Sequence, residues 1–127
     1  MLDLPAGGGA GKLKEKFASL SEVKDIQEVS LPKGLKAQLR SYQQQGYNWM
    51  SFLQEFSFGG ILADDMGLGK TLQTLSLLQM AKEKEVSQPS LVVMPTSLVH
   101  NWVAEAAKFT PQLRILVHTG SQRNNDP

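Results

Sequence analysis

Apolar residues along the chain alternate between two patterns: spaced stretches at three- and four-residue steps, and short unbroken runs between them. Leu39, Tyr42, Gly46, Trp49, Phe52, Leu53 and Phe56 follow the first pattern and predict a helix with an aromatic stripe, ended by Gly59-Gly60. Leu72, Leu75, Leu78 and Ala81 predict a second helix from about Gly69 to Lys84. Leu98, Trp102, Ala106 and Phe109 predict a third, capped by Ser97 and closed by Pro111. The unbroken runs are Ile61-Leu62-Ala63, Leu91-Val92-Val93-Met94 and Ile115-Leu116-Val117, each suited to a buried parallel strand. Strand, helix, strand, helix, strand implies an α/β fold: a parallel sheet with helices on its faces.

The rest of the chain is less patterned. Met1 to Gly11 holds Gly7, Gly8, Gly9 and Gly11 and reads as a flexible lead. Residues 12–20 predict a short helix, and Ile26, Val29 and Leu31 a brief extended piece before Pro32 and Gly34. The expected organisation is a lead and pre-segment over residues 1–34, one α/β unit over 35–120, and a frayed polar tail over 121–127.

Composition narrows the chemistry. Thirteen Lys and Arg against twelve Asp and Glu give +1, so no strong field points at nucleic acid as a whole. With no cysteine there is no disulfide or thiolate metal site, and a cytoplasmic setting is expected. His100 and His118 are too scattered for a metal cluster. No apolar run nears the roughly 18 residues that span a bilayer, so no membrane partner is expected.

The chemistry concentrates in Asp64-Asp65-Met66-Gly67-Leu68-Gly69-Lys70-Thr71, which follows an apolar run and opens a helix. Glycines let backbone amides approach phosphate oxygens, and a helix start offers unpaired N–H groups and the positive end of a dipole. Gly67, Leu68, Gly69, Lys70 and Thr71 are the candidate phosphate binders, with Lys70 on the β and γ phosphates and the Thr71 hydroxyl on Mg²⁺. The strict Walker A pattern places glycine where Asp64 stands. A second glycine run, Ala6 to Lys12, is rejected because no strand precedes it and Leu13 stands where a hydroxyl is needed.

Asp64 to Thr71 resembles the phosphate loop of Swi/Snf-type ATPases of helicase superfamily two, a family that tolerates an acidic residue at the position of Asp64. Leu39-Arg40-Ser41-Tyr42-Gln43, with Gly46 and Trp49 behind it, resembles the family's adenine-reading Q motif. The resemblance carries adenine binding onto Gln43 and Arg40. A carboxamide donates and accepts at once, which matches the adenine edge. Val92 to Leu98, with Asn101-Trp102 and Glu105, resembles the motif that meets the DNA backbone, and carries that role onto Thr96, Ser97 and Asn101. Leu31-Pro32 ahead of the Q motif gives the likeness a bacterial cast, with a nucleoid-associated setting if so.

The resemblance covers about residues 35–120 and implies the first part of a RecA-like lobe, with ATP and Mg²⁺ as cofactors and duplex DNA as the parent's partner. The family's Asp-Glu motif, which holds Mg²⁺ and orients water, does not follow Gly120, and the second lobe with its arginines is absent too. The expectation is a fragment cut before that motif and unable to turn over ATP alone, from a parent that translocates on duplex DNA and remodels protein–DNA complexes. An RNA helicase lobe, a small phosphate-loop kinase and a non-catalytic binding module stand as alternatives.

Overall fold

A computed structural model describes residues 25–63, 69–85 and 88–120. Three helices form where the spacing predicts them: α1 at Ser41–Glu55, α2 at Lys70–Glu83 and α3 at Thr96–Phe109. α1 packs on α2, and α2 on α3. The expected helix over 12–20, the glycine-rich lead and the tail after Gly120 lie outside the described residues.

α1 buries Gln43, Tyr47 and Ser51, one residue per helical turn. It ends before Gly59-Gly60 rather than at them. Ser57 adopts a left-handed φ of 57°, the Leu53 carbonyl accepts the Phe58 N–H at 2.8 Å, and the Gln54 carbonyl accepts the Ser57 N–H at 3.0 Å. That pair of bonds is a Schellman stop, made here by serine where glycine is usual. The aromatic stripe is only half-buried: Phe52 and Phe56 touch with centroids 5.0 Å apart. Trp49 lines an open groove of about 550 Å³ with Leu53, Leu62, Leu77, Leu78 and Ala81.

α2 departs from its apolar pattern. Its buried face is Gln73, Ser76 and Gln79 with Leu75 and Met80, while Leu72, Leu78 and Ala81 are half-buried. α3 starts two residues earlier than expected, at Thr96, with Pro95 as N-cap and no side-chain cap bond, so Ser97 is not the cap. Proline has no side-chain acceptor, and the first turn is closed instead by the Leu98 N–H on the Pro95 carbonyl at 2.9 Å. Of the four expected core residues of α3, Ala106 is buried, Trp102 and Phe109 are half-buried, and Leu98 is exposed.

The parallel sheet is not formed among the described residues: the three apolar runs carry no strand pairing. Their expected burial is also corrected. Ile61, Leu91, Val93 and Leu116 are 86%, 89%, 84% and 81% exposed. The reason is geometric: the helices bury their faces against one another and leave the runs uncovered.

The pre-segment is tied down by polar bonds. The Val29 N–H donates to Asn48 Oδ1 at 3.0 Å, the Val29 carbonyl accepts from Gln44 Nε2 at 3.0 Å, and the Tyr47 hydroxyl donates to the Ser30 carbonyl at 3.1 Å. Glu83, at the end of α2, accepts the N–H groups of Lys33 and Gly34 at 2.7 and 3.1 Å and Gln79 Nε2 at 3.0 Å. Gln79 and Lys82 also reach Gln112, past the end of α3, at 3.1 and 2.6 Å. One carboxylate thus joins the turn at 32–35 to α2.

Desolvation pushes the Glu83 carboxyl up, but the bonds from Gln79, Gly34 and Lys33 and the Lys33 charge outweigh it and hold it below its ordinary value. A lowered folded-state value gives stability present above the unfolded-state value of about 4.3 and lost as pH falls through the folded one. The melting temperature of the chain is therefore expected to drop as pH falls below about 4.3. Glu83→Gln should lack that component and melt lower at neutral pH. Parallel melting curves for the two chains across that range would sink the idea.

Candidate nucleotide site

Two helices converge on Gly69. It is the N-cap of α2 and sits in the left-handed region at φ 78° and ψ 37°, a conformation that costs a side-chain-bearing residue about 1–2 kcal/mol. Lys70 and Thr71 are the first two residues of α2, both half-buried. Among the described residues no side chain caps this helix start, where the positive end of the helix dipole lies. The first ladder bond runs from the Gln73 N–H to the Gly69 carbonyl at 3.2 Å, and Thr74 Oγ1 donates to the Lys70 carbonyl at 3.0 Å. These bonds hold the backbone of the first turn of α2 at Gly69 and Lys70.

Gln43 comes to the same place from α1. It is buried, and its Oε1 accepts the Arg40 N–H at 2.8 Å, which fixes the first turn of α1. Its Nε2 lies against the Cα of Gly69, where any β-carbon would collide with it. Arg40 is the N-cap of α1, with an exposed side chain that makes no cap bond. The structure thus joins Gln43 to Gly69, Lys70 and Thr71, while Asp64, Asp65, Met66, Gly67 and Leu68 lie outside the described residues.

Thr96, Ser97 and Asn101 are all exposed on the first turns of α3. Ser97 and Asn101 are four residues apart and share a helix face. With no side-chain cap on α3, the Thr96 and Ser97 hydroxyls remain open to an outside acceptor or donor.

Sequence spacing passed over Gln73. It is fully buried, donates from Nε2 to the Gly69 carbonyl at 3.4 Å, and presses its Oε1 on Gly46 of α1. The signal that could have found it is Gly46 itself. Glycine inside a helix costs about 1 kcal/mol against alanine and marks a close approach.

A family model described as the SNF2-related domain matches residues 42–126, which takes in nearly all of α1 and the whole of α2 and α3. The chain belongs to the SNF2-related family. Among its relatives, Helicase SWR1 of Debaryomyces hansenii is 47% identical over 97 residues, covering 76% of this chain and 6% of that protein. Chromatin-remodeling ATPase INO80 of Sclerotinia sclerotiorum is 42% identical over 120 residues, covering 94% of this chain and 7% of that protein. The SNF2-related chain therefore spans only 6–7% of the length of these two relatives.

Two solved structures share the fold. The Sulfolobus solfataricus SWI2/SNF2 ATPase core domain superposes with a TM-score of 0.70 at 44% identity, covering 80% of this chain and 21% of that one. The same core in complex with dsDNA gives 0.65 at 49% identity, covering 69% and 19%.

ATP and Mg²⁺ follow from the family, and the residues present fit them. Gly69 makes a left-handed turn in which a side chain would be strained and would displace Gln43, Lys70 is a point charge at a helix start, and the Thr71 hydroxyl is a hard oxygen ligand.

Proposed function

We propose that these residues form the ATP-binding part of a DNA-dependent ATPase whose parent translocates on duplex DNA and remodels protein–DNA complexes. One observation carries the reading: the Gln43 carboxamide meets the left-handed Gly69 at the start of a helix opened by Lys70 and Thr71. An adenine reader and a phosphate cradle have to be neighbours if they hold one nucleotide, and here they touch.

In this reading Gln43 and Arg40 bind the adenine end. Gly67, Leu68 and Gly69 bring backbone N–H groups to the phosphates, Lys70 places its ammonium on the β and γ oxygens, and the Thr71 hydroxyl holds Mg²⁺. Bound Mg²⁺ supplies neutralisation of the charge that develops on the transferred phosphoryl group. Thr96, Ser97 and Asn101 bind the DNA backbone, which positions the duplex without reading its sequence. Ile61 to Ala63, Leu91 to Met94 and Ile115 to Val117 are parallel strands of a RecA-like lobe, and their exposed apolar side chains are those that helices cover on the two faces of such a sheet.

No Asp-Glu pair occurs in the 127 residues. On this reading the chain alone is expected to turn over no ATP. The relatives named above are fungal and the solved structures archaeal, so a bacterial parent and its nucleoid rest on Leu31-Pro32 alone. The compartment in this proposal is the one that holds the DNA.

The test is ATP hydrolysis by the full-length chain with duplex DNA, with RNA, and with neither. Stimulation of about tenfold or more by duplex DNA, one decade being about 1.4 kcal/mol of barrier, is the expected result. Stimulation by RNA alone would point to an RNA helicase lobe, and no hydrolysis under any condition to a binding module.

A further inference from the structure

Gln73 and Gln79 of α2 are both fully buried with an Oε1 that has no partner among the described residues, and Gln73 is the one that reaches the Gly69 turn. A buried carbonyl without a partner is costly, and an apolar residue of the same shape would remove the cost. What the other end of Gln73 does suggests a reason to keep it. Nε2 donates to the Gly69 carbonyl at 3.4 Å, and the Gln73 backbone N–H donates to the same oxygen at 3.2 Å. The side chain fits only because Gly46 on α1 has no β-carbon, since any atom there would overlap Gln73 Oε1. Gly69 is therefore held from two sides, its Cα by Gln43 and its carbonyl by Gln73.

We propose that Gln73 is a positioning residue for the nucleotide phosphates: wedged between Gly46 and the Gly69 carbonyl, it fixes the left-handed turn from which Lys70 and Thr71 reach a triphosphate. The inference rests on the nucleotide reading above and adds a residue to it. The Gly69 carbonyl shares its peptide plane with the Lys70 N–H, so tilting that carbonyl re-aims this N–H and moves Lys70 with it. Gln73 touches no phosphate. It acts through Gly69, and its effect should appear in nucleotide affinity rather than in folding.

The test is Mg·ATP binding to the full-length chain by calorimetry, with nucleotide-free melting measured beside it, for wild type, Gln73→Met and Lys70→Ala. Gln73→Met keeps the shape, removes the unpaired oxygen and removes the Nε2 donor. It is expected to bind Mg·ATP up to about tenfold more weakly, the worth of one hydrogen bond, with a melting temperature no lower than wild type. Unchanged affinity in Gln73→Met beside weakened Lys70→Ala would make Gln73 a packing residue and overturn the inference while leaving the nucleotide reading standing. Unchanged affinity in both would remove the nucleotide reading, and this inference with it.

Should Gln73→Met fail to fold, Gly46→Ala reaches the same contact from the other helix by pushing the Gln73 side chain aside. The pair Gly46→Ala/Gln73→Ala makes room for the new methyl group. It is expected to melt above Gly46→Ala alone yet to bind Mg·ATP no more tightly. Recovery of affinity together with melting would assign Gln73 to packing.

Discussion

Lys70→Ala is expected to lower DNA-stimulated ATP hydrolysis of the full-length chain by about 10²–10³-fold, the scale seen when one preorganised electrostatic donor is removed from a site where charge develops. Phosphoryl transfer offers the protein little covalent chemistry, so a cation on the β and γ oxygens carries a large share of the barrier reduction. The fold should hardly notice. Lys70 is the first residue of α2, alanine is the better helix former, and the Thr74 hydroxyl bonds the Lys70 carbonyl, which the substitution keeps. Melting within about 0.5 kcal/mol of wild type is the matching expectation for a substitution of this kind. Lys70→Arg separates charge from shape, because a planar fork on a longer stem cannot take the place of a compact ammonium. Hydrolysis by Lys70→Ala at the wild-type rate would take Lys70 out of the site and leave Gly69 as a structural turn.

The helices were legible because each is long enough for a three- and four-residue pattern to repeat, and because glycine and proline punctuate the chain between them. Their faces were less legible. α2 shows leucines at helical spacing, yet Gln73, Ser76 and Gln79 are the fully buried residues. Hydropathy ranks glutamine as a surface residue. It cannot foresee that Gln73 finds the Gly69 carbonyl, or that Gln79 finds both Glu83 and Gln112. The Schellman stop at Ser57 was missed for a related reason, since the left-handed residue is not a glycine.

The docking of Val29 to Gly34 left no apolar signature either. It rests on the Gln44 and Asn48 carboxamides, one turn apart on α1, and on the Glu83 carboxylate. The apolar runs taught the opposite lesson. Unbroken apolar sequence says that a segment suits a buried strand, but burial needs partners on both sides, and here the helices pack on each other. For the site, motif order assigned the Gln43 segment and the Gly69 turn to one nucleotide before any geometry was known. The direct meeting of Nε2 with the Gly69 Cα is the part that only packing could reveal.

Tyr47→Ala is expected to destabilise the chain by about 3–5 kcal/mol, the cost of deleting a large buried aromatic, and so to leave little folded protein at 37 °C. Tyr47 has no exposed surface and is the largest fully buried side chain among the described residues. It stands at the middle of the α1 stripe between Gln43 and Ser51, so a cavity there loosens the face that meets α2. Its hydroxyl also donates to the Ser30 carbonyl. Tyr47→Phe isolates that bond and should cost only about 0.5–1.5 kcal/mol.

A second readout comes from alkali. Burial pushes the Tyr47 phenol up, the Ser51 bond lowers it, and the Glu83 charge raises it further, so the net shift is upward. A raised folded-state value gives stability that is present below the unfolded value near 10 and lost as pH rises through the folded one. Wild type should therefore lose stability above about pH 10 in a way that Tyr47→Phe does not. Denaturant midpoints for the three chains at neutral and alkaline pH decide the matter. If Tyr47→Ala unfolds at the same midpoint as Tyr47→Phe, the ring is not what holds α1 to α2, and the polar seam of Gln73, Ser76 and Gln79 carries the contact instead.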